Sequence, residues 1–215
     1  MRLRKKPWIG EALDQFNDIL VREHEDKDCR GRWRQRFAAA GPLHVEVGTG
    51  KGSFITEMAA RHPDILFIGI EGQQDVIYQA VKRAAEQKLV NLRLLLADVG
   101  RLTEFFAPGE MDRLFINFCD PWPKVRHAKR RLTHARFLAR YREVLAAQGD
   151  IWFKTDNRPL FDFSLEEFAA NGLELVKVSY DLHSEDWQDN VMTEYERKFS
   201  ALGTPINRCE ARFAK

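Results

Sequence analysis

Cysteine, long apolar runs and net charge are all scarce in this sequence of 215 residues. The three cysteines, Cys29, Cys119 and Cys209, are odd in number and far apart, so they form neither a disulfide framework nor a C-x-x-C metal site. No stretch approaches the roughly 18 consecutive apolar residues of a membrane helix. The basic start, Met1–Lys6, lacks the apolar core and cleavage site of a secretion signal. We therefore expect a reduced, cytoplasmic protein with no metal ion and no membrane contact.

The formal net charge of +2 conceals a segregation of charges along the chain. The segment Pro121–Arg142 contains eight lysines and arginines and no acid, whereas Asp181–Glu196 contains six acids and no lysine or arginine. Smaller basic clusters lie at Arg2–Lys6 and Arg30–Arg36. A short charge run is usually only a solvated surface. Eight uncompensated positive charges repel one another unless an anion binds them, and nucleic-acid phosphates are the obvious anion.

From residue 43 onward, segments of strand character alternate with segments of helical spacing. Strands are predicted at residues 43–47, 66–70, 92–96, 113–118, 151–154, 173–178 and 197–201, and helices at 53–61, 74–87, 133–146 and 159–170. This alternation predicts an α/β, Rossmann-like fold with a mostly parallel seven-stranded sheet and helices on both faces. Residues 1–40 are interpreted as a basic, partly helical N-terminal extension, and 41–215 as the main domain. Such sheets bind ligands at the carboxyl ends of their strands, so the residues after each strand are the informative ones.

A glycine loop follows the first predicted strand. Gly48, Gly50 and Gly52 form a G-x-G-x-G pattern, which allows a sharp turn and the close approach of a ligand. The dinucleotide fingerprint G-x-G-x-x-G would need glycine where Ser53 stands. A tight turn without a ligand remains the alternative, because the loop alone is a weak signal.

Acids stand at the ends of the first three strands. Glu46 precedes the glycine loop, and Glu71 lies nineteen residues beyond Gly52, a spacing suited to the ribose hydroxyls of a nucleoside. Asp98 follows the third strand, where an aspartate is also typical of a helix cap. Lys51 is the only cation of this region, which disfavours the pyrophosphate of NAD or FAD. Acidic surroundings suit the positively charged sulfonium of S-adenosylmethionine.

A distinctive segment follows the fourth strand. Two prolines stiffen the chain around Asp120 and Trp122, and the basic run begins directly afterwards. A fixed carboxylate, an indole that stacks on bases and a row of cations predict an RNA site with a reaction centre at its head. The alternative is a packed tryptophan beside a capping aspartate. Asp156 follows the fifth strand at the same edge, and Thr193–Arg197 is either part of this site or an exposed edge strand.

Together these motifs resemble the bacterial tRNA (guanine-N7)-methyltransferases. The resemblance covers nearly the whole chain, and the Asp-Pro-Trp-Pro-Lys motif with the basic residues behind it is its most specific part. The family commonly has cysteine where this chain has Thr49, a change to which the sequence assigns no role. The motifs are Glu46–Gly52, Gly69–Glu71, Asp120–Lys124, Arg126–Arg131, Lys154–Asn157 and Thr193–Glu196.

The resemblance implies S-adenosylmethionine as cofactor, tRNA as partner, and methylation of the variable-loop guanosine at tRNA position 46. It implies that Asp120 is catalytic and lies between cofactor and guanine. Cofactor contacts are implied for Glu46, Gly48, Gly50, Gly52, Glu71, Asp98 and Asp120; substrate contacts for Lys124, Asp156, Thr193, Glu194, Tyr195 and Glu196; and RNA contacts for Arg126, His127, Lys129, Arg130 and Arg131.

Several alternatives stay open at the level of sequence. Guanine N7 has a lone pair and no proton, so the reaction needs no general base, and Asp120, Asp156 and Glu196 are all candidates to bind the guanine edge. Rival functions are methylation of an exocyclic amine, tRNA binding without catalysis and, less favoured, a nicotinamide dehydrogenase. Cys119 is expected to pack rather than to act as a nucleophile. The sequence does not distinguish a monomer from a homodimer.

Overall fold

The computed structural model describes residues 8–22, 29–37, 40–185, 187 and 190–214. Within them, eight strands belong to a mostly parallel sheet with flanking helices. The strands are β1 (Leu20–Arg22), β2 (Leu43–Val47), β3 (Leu66–Glu71), β4 (Leu92–Leu96), β5 (Met111–Asn117), β6 (Leu145–Thr155), β7 (Leu173–Ser179) and β8 (Asn207–Phe213). The α-helices are α1 (Trp8–Leu13), α2 (Trp33–Arg36), α3 (Ser53–Arg61), α4 (Gln74–Glu86), α5 (Leu102–Phe105), α6 (Ala135–Val144), α7 (Arg158–Ala170) and α8 (Glu194–Ser200).

The first of two compact units is Met1–Phe105. Its strands lie in the order β1-β4-β3-β2, and every pairing is parallel. All five residues of β2 are buried, as are the first five of β3, which is typical of parallel strands covered on both faces. Val47 pairs with Ile70 and Glu71 pairs with Leu96, so the segments that follow β2, β3 and β4 leave the sheet at one edge.

The second unit is Phe106–Lys215, with strand order β5-β6-β8-β7. The β5–β6 pair is parallel, and β8 pairs antiparallel with both β6 and β7. Asn117 pairs with Lys154, so the segments after β5 and β6 leave the sheet at one edge. Helix α7 begins directly after β6, because the Asn157 side chain caps its first turn by accepting a hydrogen bond from the Leu160 amide at 2.9 Å.

The predicted fold class is confirmed, and six of the seven predicted strands are present. The predicted strand at 197–201 is wrong: these residues lie in and just after helix α8, which a capping box between Thr193 and Glu196 initiates. The count of seven is wrong as well, since the three-residue β1 pairs with β4 and Asn207–Phe213 forms β8. The early basic cluster Arg2–Lys6 lies outside the described residues. No helix in the described part of the chain has the length and apolar composition to cross a membrane.

Candidate active site

The glycine loop between β2 and α3 is built for close packing. Gly48, Gly50 and Gly52 all have positive φ, between 60° and 77°, a conformation that favours glycine. A side chain on Gly52 would meet Cβ of Ala80 at 2.6 Å, so this glycine allows the loop to pack against α4. A Cβ on Gly50 would meet only the Gly48 carbonyl oxygen, at 4.0 Å. The loop therefore leaves open space at Gly50, which fits a bound nucleoside ligand.

Two of the predicted acids are fastened to this loop. The Glu71 carboxylate accepts hydrogen bonds from the Gly50 amide at 3.1 Å and from the Gln73 amide at 2.9 Å. Glu46 is buried, and its carboxylate accepts a hydrogen bond from the hydroxyl of Thr49. The Glu71 carboxylate therefore lies beside the open space at Gly50.

Thr49 has a side-chain role that the sequence did not reveal. Besides donating to Glu46, its side chain lies against the position where Gly69 lacks a Cβ, with Oγ1 3.0 Å and Cγ2 3.1 Å from that point. Threonine at this position therefore orients the carboxylate and packs on β3. The thiol of a cysteine is a weaker donor.

Asp98 lies at the same strand edge and acts as a cap. Its Oδ1 accepts a hydrogen bond from the Gly100 amide at 2.7 Å, at the start of the short 3₁₀ helix Val99–Arg101. The side chain is exposed. The first unit thus places Glu46, the glycine loop, Glu71 and Asp98 along one edge.

In the second unit, Asp120 is an exposed residue in a loop of unusual backbone conformation. Phe118 and Trp122, two residues before and two after it, have φ values of 50° and 43°. Such left-handed conformations cost about 1–3 kcal/mol each in residues other than glycine and cluster at functional sites. The backbone is therefore strained on both sides of Asp120, and this conformation sets the shape of the loop.

The basic segment that follows divides into outward-facing and inward-facing cations. Lys124, Arg126, Lys129 and Arg130 are exposed, and His127 is half-buried. The Arg130 guanidinium lies 4.8 Å from the centre of the Trp122 ring, and His127 meets the same ring edge-on at 5.8 Å. Trp122, which the sequence suggested as a stacking platform for a base, therefore stacks on a protein cation.

Arg131 contacts the loop instead of facing solvent. Its Nε donates to the Pro121 carbonyl at 3.0 Å, and Nη2 donates to the Trp122 carbonyl at 3.1 Å. Its guanidinium also lies 4.2 Å from the centre of the Phe163 ring. These contacts make Arg131 a brace for the Asp120 loop, a role that the basic pattern alone did not distinguish from phosphate binding.

The remaining predicted substrate residues follow β6 and begin α8. Asp156 is half-buried next to the Asn157 cap. Thr193 is buried, and its hydroxyl accepts the Glu196 amide at 2.9 Å, while Glu196 is completely buried. Only Glu194 and Tyr195 of this motif are exposed. The Tyr195 ring is stacked between two phenylalanine rings. Its centre lies 6.2 Å from the centre of the Phe118 ring and 6.1 Å from that of the Phe199 ring.

Two further observations bear on chemistry at this site. Burial and, to a smaller extent, the neighbouring Asp120 carboxylate raise the pKa of Cys119 to about 12, so the thiol is neutral near pH 7. This agrees with the expected packing role. Within the described residues, no group of three or more His, Cys, Asp or Glu side chains is arranged to hold a metal ion.

Comparison with known proteins gives matches over almost the entire chain. Residues 40–209 match the model of a family described as "Putative methyltransferase". A tRNA (guanine-N(7)-)-methyltransferase of Halalkalibacterium halodurans is 52% identical over 213 residues, covering 99% of this chain and 96% of the relative. An enzyme of the same name from Bacillus subtilis is 50% identical and covers 98% of each chain.

Solved structures support the fold at much lower identity. The 16S rRNA methyltransferase KamB superposes with a TM-score of 0.66 at 15% identity, over 86% of this chain and 94% of that one. A 30S ribosomal A1408 methyltransferase from an uncultured bacterium gives a TM-score of 0.60 at 16% identity, over 88% and 94%. At such identities the likeness concerns the fold alone.

Proposed function

The chain belongs to the tRNA (guanine-N7)-methyltransferase family, and we propose that it methylates N7 of the variable-loop guanosine at position 46 of tRNA. The main support is the near-complete match to relatives of that name, at 52% and 50% identity. The geometry agrees: an exposed carboxylate, Asp120, stands at the head of a solvent-facing basic segment.

We propose that the catalytic domain comprises residues 41–215 and that the protein is located in the cytoplasm. Residues 1–40 are proposed to form an N-terminal extension of this domain. The proposed function is compatible with a monomer and with a homodimer.

The glycine loop and its acids are proposed to hold S-adenosylmethionine. This cofactor, when bound, supplies an electrophilic methyl group on a positively charged sulfur. Gly50 offers open space beside Glu71, whose carboxylate suits ribose hydroxyls. Lys51 is the only cation of this region, whereas a pyrophosphate needs several. Glu46, Gly48, Gly52 and Asp98 complete the proposed contacts, and we propose that no metal ion takes part.

Asp120 is proposed as the catalytic residue that orients guanine. N7 attacks with its own lone pair and the product base carries a positive charge, so no proton has to leave N7. A carboxylate at this place accepts hydrogen bonds from N1–H and the exocyclic amine and stabilises the developing charge. Most of the rate then comes from holding the base in line with the methyl group.

The remaining roles are proposed from the exposure of each side chain. Lys124, Arg126, His127, Lys129 and Arg130 contact the RNA, since they lie at or near the surface. Asp156, Glu194 and Tyr195 contact the substrate nucleotide or its neighbours. The family resemblance assigns Thr193 and Glu196 to the substrate. Both side chains are buried, so they support the substrate site from inside the protein.

One incubation tests this function. The protein is mixed with methyl-labelled S-adenosylmethionine and an unmodified tRNA transcript, and the labelled nucleoside is identified after nuclease digestion. A matched transcript carries 7-deazaguanosine at the target, where a C–H group replaces the N7 nucleophile. We expect label only in N7-methylguanosine and only with the first transcript.

The other outcomes identify the rival functions. Label in an exocyclic N-methyl nucleoside would identify a different nucleic-acid methyltransferase. Binding of tRNA without binding of S-adenosylmethionine, measured by calorimetry, would identify a non-catalytic RNA-binding protein.

A further inference from the structure

A buried ion pair lies at the start of helix α8. Nζ of Lys154, in β6, is 2.7 Å from Oε2 of Glu196, and the two side chains are only 5% and 0% exposed. The same Nζ donates to the Val191 carbonyl at 2.9 Å and to Oδ1 of Asn190 at 3.0 Å. An ammonium group has three N–H donors, so these contacts engage all of them.

The Glu196 carboxylate is surrounded by protein donors. Oε2 accepts from Lys154 and lies 3.4 Å from the Thr193 amide. Oε1 accepts from the Asn190 side-chain amide at 2.6 Å and lies 3.3 Å from Nε2 of His183. A carboxylate offers about four lone-pair sites; Lys154, Thr193 and Asn190 occupy three of them, and His183 lies beside Oε1. The Glu196 side chain is completely buried, so a guanine edge would have to displace one of these groups, of which only His183 is exposed.

We propose that Lys154 and Glu196 are positioning residues and that Glu196 does not contact the guanine. The ion pair fastens residues 190–196 to the end of β6 and thereby presents the exposed Glu194 and Tyr195 to the tRNA in one conformation. In some proteins, buried ionic pairs specify a single arrangement more than they add stability. This inference rests on the proposed function and deepens it, because it leaves Asp120 and Asp156 as the acids that bind the guanine edge.

The sign of a double-variant effect tests the assignment. Lys154→Met leaves a buried carboxylate without its cation, and Glu196→Gln leaves a buried ammonium without its anion. We expect each single variant to lower kcat/KM for tRNA by at least about tenfold. The double variant Lys154→Met/Glu196→Gln removes both charges and is expected to be more active than either single variant. If Glu196 touches the guanine, its replacement instead lowers the activity of Lys154→Met still further, which would overturn the proposal.

A second readout separates positioning from a general loss of folding. Binding of S-adenosylmethionine by calorimetry gives the fraction of folded protein, since its proposed contacts include neither Lys154 nor Glu196. We expect kcat/KM per folded molecule to fall, chiefly through a higher KM for tRNA, with the cofactor Kd unchanged. Loss of activity that merely follows the folded fraction would contradict a positioning role. If Lys154→Met does not fold, Glu196→Gln serves as the single variant for comparison.

The wild-type reaction is the control for the proposed function itself. Formation of N7-methylguanosine by the wild-type protein shows that the function holds, so that the variants report only on Lys154 and Glu196. Absence of that product would refute the function before any variant is measured.

Discussion

Asp120 combines exposure with a strained setting, since left-handed residues stand on both sides of it. We expect Asp120→Ala to lower kcat about 10²- to 10³-fold, the usual effect of removing one group that stabilises developing charge. The Kd for tRNA should change by about twofold or less, because the phosphate contacts lie elsewhere in the chain. Single-turnover rates and filter binding measure the two quantities. Near-normal turnover by the variant would show that Asp120 is not catalytic.

Thr49 shows how one hydroxyl can support a binding site from behind. Thr49→Val removes the hydrogen bond to the buried Glu46 carboxylate at nearly constant volume, so we expect weaker binding of S-adenosylmethionine and a loss of about 1–3 kcal/mol in stability. Thr49→Ser keeps the donor and is the matched control, with a smaller effect on both quantities. Calorimetry and thermal melting measure them. Equal cofactor affinity in the two variants would exclude a role for this hydrogen bond.

At the scale of elements, the Asp120 loop depends on Arg131, which lies in the basic segment but donates to two backbone carbonyls. Arg131→Gln should lower stability by about 2 kcal/mol, since hydrogen bonds from charged groups contribute roughly 1.5–3 kcal/mol. It should also lower kcat, because the loop that carries Asp120 loses its brace.

The nearby Lys129→Gln is the matched control for this experiment. Lys129 is exposed, so its replacement should leave the melting temperature nearly unchanged and weaken tRNA binding instead. Thermal melting and single-turnover rates on both variants give the comparison. If Arg131→Gln affected only tRNA affinity, Arg131 would be a phosphate contact after all.

Elements with strong apolar patterns were predictable from the sequence, and elements set by single contacts were not. β2 and β3 are short, almost completely buried runs, and three of the five residues of β4 are buried, so their pattern was clear. β8 reads Asn-Arg-Cys-Glu-Ala-Arg-Phe and buries Arg208 among aromatic rings, which hides its alternation. Helix α8 is only seven residues long, and its signal was the Thr-x-x-Glu capping box rather than an apolar stripe.

Within each unit, the strand ends that carry the predicted residues were predictable, but the contacts of the individual side chains were not. Parallel strands end at the same edge of a sheet, so the place of Glu71 and Asp98 in the first unit, and of Asp156 in the second, followed from the order of elements. Whether a side chain faces solvent or the protein depends on tertiary contacts that the sequence does not display. Glu196 and Arg131 face the protein, and Lys154, within a predicted motif, had no assigned role until its partners were visible.

At the scale of the whole molecule, the near-zero net charge hides positive and negative charges that are concentrated in different segments. The total of +2 includes eight cations without an acid at 121–142 and six acids without a cation at 181–196. A near-neutral protein can therefore still bind a polyanion, because binding depends on the local field and on the counterions released from the RNA. The acids also include Glu196, which is neutralised internally by Lys154.

The salt dependence of tRNA binding tests this distribution. Replacing Arg126, Lys129 and Arg130 by glutamine removes three exposed charges. If each contacts a phosphate, the slope of log K against log salt should become shallower by about 2–3, since each contact contributes roughly 0.7–0.9. Lys82→Gln, an exposed lysine outside the basic segment, should leave the slope unchanged. An unaltered slope in the triple variant would mean that this segment is only a solvated surface and that the tRNA binds through other residues.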